Sequence, residues 1–246
     1  MKRGTFFAAG GVFVVLGVSA CAGDVEPRSA AERGRELLSN PKLSSSTLNF
    51  ASCTTCHRVD DSDRPEAILP GVVLAGATQR PTFWAGQEFD LLQSINQCRF
   101  YFMSSNTPWT PQEENAKSIY AYLLSLESRA SSAQRASIPF TMVRDAADVP
   151  ASGAAAGEAI YNRACKTCHG TVHQGVGRLR QGLPVLPEET VERHRYLNSR
   201  DATRLAFIQK TRHGGFLGYG GTMPPFSLEV MSDADLGSLL AFLGLY

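Results

Sequence analysis

The chain has almost no net charge and no basic run. Its 246 residues carry 24 Lys and Arg against 23 Asp and Glu, a formal charge of +1, so the electrostatic footprint of a nucleic-acid-binding protein is absent. Charged residues are scarce as well, 19% against 43% hydrophobic, which excludes a charge-rich disordered chain and leaves enough apolar material for a packed core. The length admits one large domain or two of about a hundred residues each. Charge is missing altogether from Phe6 to Ala20, just after Lys2 and Arg3. That run is shorter than the roughly 20 apolar residues of a membrane span and has the length of an export-signal apolar region.

Cysteine is sparse too, with six in the chain. The first closes the sequence Val18-Ser19-Ala20-Cys21, which resembles a bacterial lipobox. The resemblance implies cleavage after residue 20, acylation of Cys21 and tethering to a membrane leaflet of the cell envelope. Ala22, rather than Asp, follows, which by the sorting pattern of such lipoproteins favours the outer membrane. Cleavage by the ordinary signal peptidase and an uncleaved anchor are the alternatives.

Four of the other five cysteines form two copies of one pattern, Cys53-Thr54-Thr55-Cys56-His57 and Cys165-Lys166-Thr167-Cys168-His169. This is the c-type haem attachment motif CxxCH. Thiols one helical turn apart each add to a haem vinyl group, and the adjacent imidazole goes to the iron. A zinc site needs four ligands on one metal, and a thioredoxin-type CxxC needs a βαβ setting and no histidine. A disulfide across a two-residue spacer is strained and leaves both histidines unexplained.

The copies sit in a longer repeat. Gly157-Glu158-Ala159-Ile160-Tyr161 runs into the second motif, whereas from Gly34 the first motif is reached only after an insertion around Pro41 to Asn49. Downstream, Thr110-Pro111-Gln112-Glu113 reads as a capping box with proline at the first helical position, followed by Ile119, Tyr122, Leu123 and Leu126 at helical spacing. Ser232 and Asp235 begin a matching helix with Leu236, Leu239, Leu240 and Leu243. Residues 128–152, rich in Ala and Ser with Pro139 and Pro150, read as a linker between domains at 28–127 and 153–246, with Pro139-Phe140 able to pack on one of them.

The whole resembles a dihaem cytochrome c, all-α, with two class I cytochrome c domains in tandem, each wrapped around one covalent haem. The resemblance implies two haem c groups and their iron as cofactors, with Cys53, Cys56, His57, Cys165, Cys168 and His169 as the attachment set. Met223, in Gly221-Thr222-Met223-Pro224-Pro225, resembles the Met-Pro loop that supplies the second axial ligand in class I domains, and a His/Met pair raises the potential. His213 reads as a helix end, and His173 and His194 as surface or haem-carboxylate contacts.

For the first iron two sulfurs compete. Met103 stands where Met223 stands in the repeat. Cys98, in Ser94-Ile95-Asn96-Gln97-Cys98, resembles the ligand cysteine of thiosulfate dehydrogenases, whose cysteine-ligated domain is also followed by an ordinary cytochrome c domain. Five helical positions turn about 140° past a full circle, so one helix cannot aim both at one iron. In that family an arginine lies four residues before the cysteine, where this chain has Ser94. Arg80 and Arg99 are cations that could meet haem carboxylates or lie at the surface, and Arg80-Pro81-Thr82-Phe83-Trp84 is expected to pack beside the haem.

The function expected is therefore electron transfer to and from redox partner proteins of the cell envelope on the periplasmic side, without catalytic residues. The alternative is a thiosulfate dehydrogenase-like enzyme in which a haem ligated by His57 and Cys98 oxidises a sulfur anion. A peroxidase would need an open iron position. The leader generates a first test: Cys21→Ala should abolish acylation and move the protein from the detergent phase to the aqueous phase in phase partitioning, whereas an ordinary cleavage site would leave partitioning unchanged.

Overall fold

The computed structural model describes residues 28–139, 141–150, 152–215 and 221–245. The signal sequence, Cys21, Phe140 and Gly220 lie outside these residues. Among the described residues there is no β-strand, only one antiparallel bridge between Phe83 and Glu88. The fold is all-helical, as expected.

In the amino-terminal half the helices are α1 (Ala30–Leu38), α2 (Cys53–Cys56), α3 (Leu91–Met103) and α4 (Glu114–Ser125). In the carboxy-terminal half they are α5 (Gly157–Ala164), α6 (Lys166–His169), α7 (Glu188–Arg193), α8 (Arg200–His213) and α9 (Asp233–Phe242). Their starts follow from local chemistry. Ser29 and Glu32 cap α1 reciprocally, the Asp90 carboxylate accepts from the Gln93 amide at α3, and the Ser199 hydroxyl accepts from the Ala202 amide at α8. The Ser232/Asp235 box read from the sequence opens α9.

The Thr110 box is a half-match. The Glu113 carboxylate accepts from the Thr110 amide at 3.1 Å, but Pro111 to Glu113 form a turn and α4 starts at Glu114. Glu113 has extended backbone and is itself the residue before the helix, so the bond closes a turn rather than capping a helical one.

Packing repeats across the halves: α1 lies on α4 and α5 on α9. Each crossing occurs at a glycine. A Cβ on Gly34 would sit 2.0 Å from the Ser118 carbonyl oxygen, and one on Gly157 would sit 2.2 Å from that of Ser238, with Tyr122 and Phe242 as the next neighbours. The pairs Ser118/Tyr122 and Ser238/Phe242 stand at the offset of 120 read from the sequence. Only glycine lets two helix backbones approach this closely.

Two clusters of buried apolar residues result. One includes Leu38, Met103, Trp109, Ile119 and Leu123, the other Ile160, Tyr161, Ile208, Met231, Leu236 and Leu240. The stretch expected to be a linker is packed rather than free, because Val143, Ala146 and Val149 belong to the second cluster and the Thr141 carbonyl lies 3.1 Å from His213 Nε2. Composition hid these contacts, since three apolar side chains spaced three apart in a stretch rich in Ala and Ser are too few to define a helix.

The halves also touch directly. Ile68 of the amino-terminal half joins the second cluster, its amide donates to the Arg163 carbonyl at 3.1 Å, and Arg163 Nε donates to the Glu66 carbonyl at 2.6 Å. The crossings yield the second test: Gly34→Ala and Gly157→Ala should each destabilise the protein by roughly 1–3 kcal/mol or more, the cost of forcing extra atoms into a packed site. Thermal unfolding should show a lowered midpoint for both, whereas an exposed control such as Gly153→Ala, which meets nothing within 4 Å, should leave it in place.

Candidate functional site

The first motif forms the single turn α2, and His57 leaves it with extended backbone. Its Nδ1 lies 2.7 Å from the Val72 carbonyl oxygen, 15 residues on. A carbonyl only accepts, so Nδ1 carries the proton and the Nε2 lone pair is left for a metal. Gly71 lies flat against the ring, where a Cβ would come within 2.5 Å of Nδ1 and Cε1. Its amide donates to the Cys56 carbonyl at 2.8 Å. Burial lowers the His57 pKa, which favours the neutral ligand form.

The second motif repeats this. His169 ends α6 and is buried, and its Nδ1 lies 2.9 Å from the Pro184 carbonyl, again 15 residues on. The Leu179 amide donates to the Cys168 carbonyl at 3.0 Å, and the Tyr161 hydroxyl donates to the Gly170 carbonyl at 3.0 Å. Burial lowers the His169 pKa as well.

All five described cysteines are free. Burial pushes the Cys53 thiol up to about 11, Cys98 and Cys165 up to about 12, and raises Cys56 and Cys168. After burial, Cys168 is the next group that raises the Cys56 pKa. Among the described residues no three or more His, Cys, Asp or Glu side chains gather as a metal cage would, so the zinc alternative lacks its ligand set.

A cavity of about 280 Å3 opens beside the first motif, lined by Cys53, Cys56 and His57. Pockets for cofactor-sized ligands run from roughly 300 Å3 upward. Both Cys98 and Met103, from α3, line it as well. Met103 is the last residue of the helix, before a left-handed Ser104, and is buried in the first cluster. Both sulfurs therefore remain candidates.

Trp84 and Phe102 line the same cavity and stack on each other at 5.9 Å with planes 11° apart. The Trp84 indole N–H donates to the Ser94 hydroxyl at 3.1 Å. Ser94 thus serves an indole, where the resemblance would need an arginine for an anion. Trp84 and Ala85 both adopt positive φ, 49° and 57°, a backbone that larger residues reach only when their surroundings hold them.

The two cations differ from a surface reading. Arg80 lines the cavity, with Nε donating to the Gln134 carbonyl at 2.7 Å and Nη2 to the Val73 carbonyl at 2.6 Å, and burial lowers its pKa to about 10. Arg99 is buried and lies 3.8 Å above the Trp109 ring. Its Nη groups donate to Asn96 Oδ1, the Thr107 carbonyl and the Ser105 hydroxyl at 3.0–3.2 Å. Its Nε, on a residue that lines the cavity, has no partner.

In the carboxy-terminal half Met223 packs partly buried against the second cluster. Its carbonyl accepts from the Gly215 amide at 2.7 Å, and the Phe226 amide donates to the Thr211 carbonyl at 2.8 Å, so the Met-Pro-Pro loop is stitched to the end of α8. Gly214 takes φ 57°, where a Cβ would meet the Met223 oxygen at 2.3 Å. His173, paired with Glu188 at 2.5 Å, and His194, against the Thr190 carbonyl at 2.8 Å, are engaged away from the motif. His213 is buried at the helix end. Sequence reasoning missed Asn96, Trp109 and Arg212, because a buried arginine shows no sequence signal apart from its helix position.

Residues 152–243 match the family model of cytochrome c oxidase, cbb3-type, subunit III. This segment is a cytochrome c domain. A cytochrome c domain implies covalently bound haem c with its iron, and within it Cys165, Cys168 and His169 fit the group: two free thiols one turn apart and an imidazole whose Nε2 is left available. No curated protein matches the chain. Among the described residues no helix is long and apolar enough to cross a membrane.

The Arg99 arrangement gives the third test. Arg99→Leu should strand the Ser105 hydroxyl and the Thr107 carbonyl, while Asn96 keeps its two bonds to the Trp109 backbone, and should cost about 2–3 kcal/mol. Chemical denaturation should show the midpoint fall, with a smaller fall for Arg99→Lys.

Proposed function

We propose that the chain is a two-haem electron carrier of the cell envelope, with one cytochrome c domain at 28–127 and another at 153–246. The observation that carries this reading is the duplication of one arrangement. In each half a CxxC pair of free thiols precedes a histidine whose Nδ1 is tied to a carbonyl 15 residues on.

When bound, each haem supplies an iron that cycles between ferric and ferrous. The chain's residues do the rest. His57 and His169 present Nε2, and the carbonyls of Val72 and Pro184 fix the ring orientation and tautomer. Met223 would supply the second ligand to the iron held by His169. Cys98 or Met103 would supply that of the iron held by His57. Trp84, Phe102 and the buried cluster around Leu123 exclude water, which lowers the reorganisation that accompanies electron transfer. Arg80 and Arg99 place positive charge at the cavity for haem carboxylates. The direct contacts of the two halves at Ile68, Arg163 and Glu66 support passage between the two irons, and redox proteins of the envelope would be donor and acceptor. An acylated Cys21 would hold the carrier at the membrane.

A second reading is favoured by one observation, that Cys98 and Arg80 line the same cavity. It makes the first haem a thiosulfate-oxidising centre ligated by His57 and Cys98. The fourth test separates the two. The full-length protein should contain two haems by pyridine haemochrome, and the Cys53→Ala/Cys56→Ala and Cys165→Ala/Cys168→Ala double variants one each. Thiosulfate should leave the ferric carrier oxidised. Reduction by thiosulfate that is lost in Cys98→Ala would transfer the function to the enzyme reading, and a single haem in the wild type would end the two-haem reading.

A further inference from the structure

We propose that the insertion in the amino-terminal half, around Pro41 to Asn49, is a coupling element: through Arg180 it positions the Met223 loop of the carboxy-terminal half, so that the hold of Met223 on the second iron depends on the first half. The inference rests on the reading that Met223 supplies the second ligand of that iron.

The insertion has no counterpart in the carboxy-terminal half, where α5 runs straight into the motif. The second motif is reached without it, so attachment at a CxxCH does not require it. It is nevertheless a built loop. Asn49 Nδ2 donates to the carbonyls of Pro41 at 2.6 Å and Ala51 at 2.8 Å, and its Oδ1 accepts from the Ala51 amide at 3.1 Å, which ties the two ends together. Between them the Ser44 and Ser46 hydroxyls each accept an amide two residues on, from Ser46 and Leu48, at 3.2 Å. These are the side-chain turns that serines form in place of a helix. Leu43 is buried and lines the first cavity, so the loop is anchored in its own half.

Its far end meets the other half. Arg180 Nη1 donates to the Leu48 carbonyl at 3.2 Å, and Arg180 Nη2 donates to the Thr222 hydroxyl at 3.4 Å. Thr222 is the residue before Met223. A planar guanidinium holds its N–H groups in a rigid fork, which a lysine ammonium does not reproduce, so one side chain fixes the insertion and the Met223 loop relative to each other. The other side of Met223 is tied to α8, through the Gly215 amide on the Met223 carbonyl and the Phe226 amide on the Thr211 carbonyl. A second observation places the same loop at the boundary between the halves: Pro224 and Pro225 line the first cavity, as Leu43 does.

A thioether carries no charge, so its hold on an iron depends on how far its loop is already ordered in the bound position. A competing imidazole reports that hold.

The test uses the full-length holoprotein in its ferric form. Imidazole is titrated in while the far-red thioether-to-iron absorption is followed, the part lost in Met223→Ala belonging to the second iron. Arg180→Ala should raise the imidazole affinity of the second iron about three- to tenfold, the size expected for one or two net hydrogen bonds. Thr222→Val should raise it about two- to fivefold and add nothing further to Arg180→Ala. Arg180→Lys should fall between Arg180→Ala and wild type. Asn49→Ala, which opens the insertion in the other half, should also raise it about two- to fivefold, and this effect across the boundary is the mark of coupling. Arg195→Ala, which removes an exposed arginine paired with Glu192, should leave it unchanged. Should Arg180→Ala fail to fold, Thr222→Val and Asn49→Ala carry the comparison.

If Asn49→Ala leaves the imidazole affinity of the second iron unchanged, the coupling is overturned, whatever Arg180 does within its own half. If Arg180→Ala and Thr222→Val leave it unchanged too, the positioning role of Arg180 falls with it. Far-red absorption that survives intact in Met223→Ala overturns the ligand reading beneath the proposal, and this is seen before any imidazole is added.

Discussion

Two helix backbones can approach within contact distance only where one of them has no side chain, and both halves of this protein use that contact. Gly34 lets α1 settle on the Ser118 carbonyl and Gly157 lets α5 settle on that of Ser238. The crossing fixes the direction from which the chain enters each CxxCH motif. In the carboxy-terminal half the motif follows α5 at once, and in the amino-terminal half the stretch around Pro41 to Asn49 intervenes without disturbing the crossing. A long surface insertion adds little loop-closure entropy, so the same contact supports both routes.

From there the imidazoles are oriented by backbone rather than by side chains. Val72 and Pro184 each offer a carbonyl to Nδ1. A carbonyl cannot donate, so the tautomer is settled without a titrating partner, and burial favours the neutral ring in both. The arginines follow a related logic. Arg99 and Arg212 spend their terminal nitrogens on the loops that follow α3 and α8, which holds these loops against the helices and leaves Nε over. A buried guanidinium with one N–H to spare is costly in an apolar core.

Much of this was legible in the residues. The CxxCH spacing, the offset of 120 and the Ser232/Asp235 box are local patterns, and α9 starts where they place it. The Thr110 box was half legible, because the same Thr–Glu bond closes a turn or caps a helix depending on the backbone of Glu113. The packing of the stretch expected to be a linker was not legible: Val143, Ala146 and Val149 are too few to define a period, yet they are buried in the second cluster. Helical geometry read Cys98 and Met103 as exclusive. The structure sets both on the wall of one cavity, with Met103 at the point where α3 ends.

The sequence by itself determined the chemistry: paired thiols and a following imidazole, twice, in a chain of nearly balanced charge. It determined this because attachment depends on residues three or four positions apart, a distance that local structure sets. Which side chains surround that chemistry was decided only by the tertiary structure. Arg212 and Ser227 come to the first cavity from the other half of the chain, Ser94 is taken by Trp84, and Ile68 joins the second cluster. These contacts join residues far apart in sequence, through packing that no short pattern encodes.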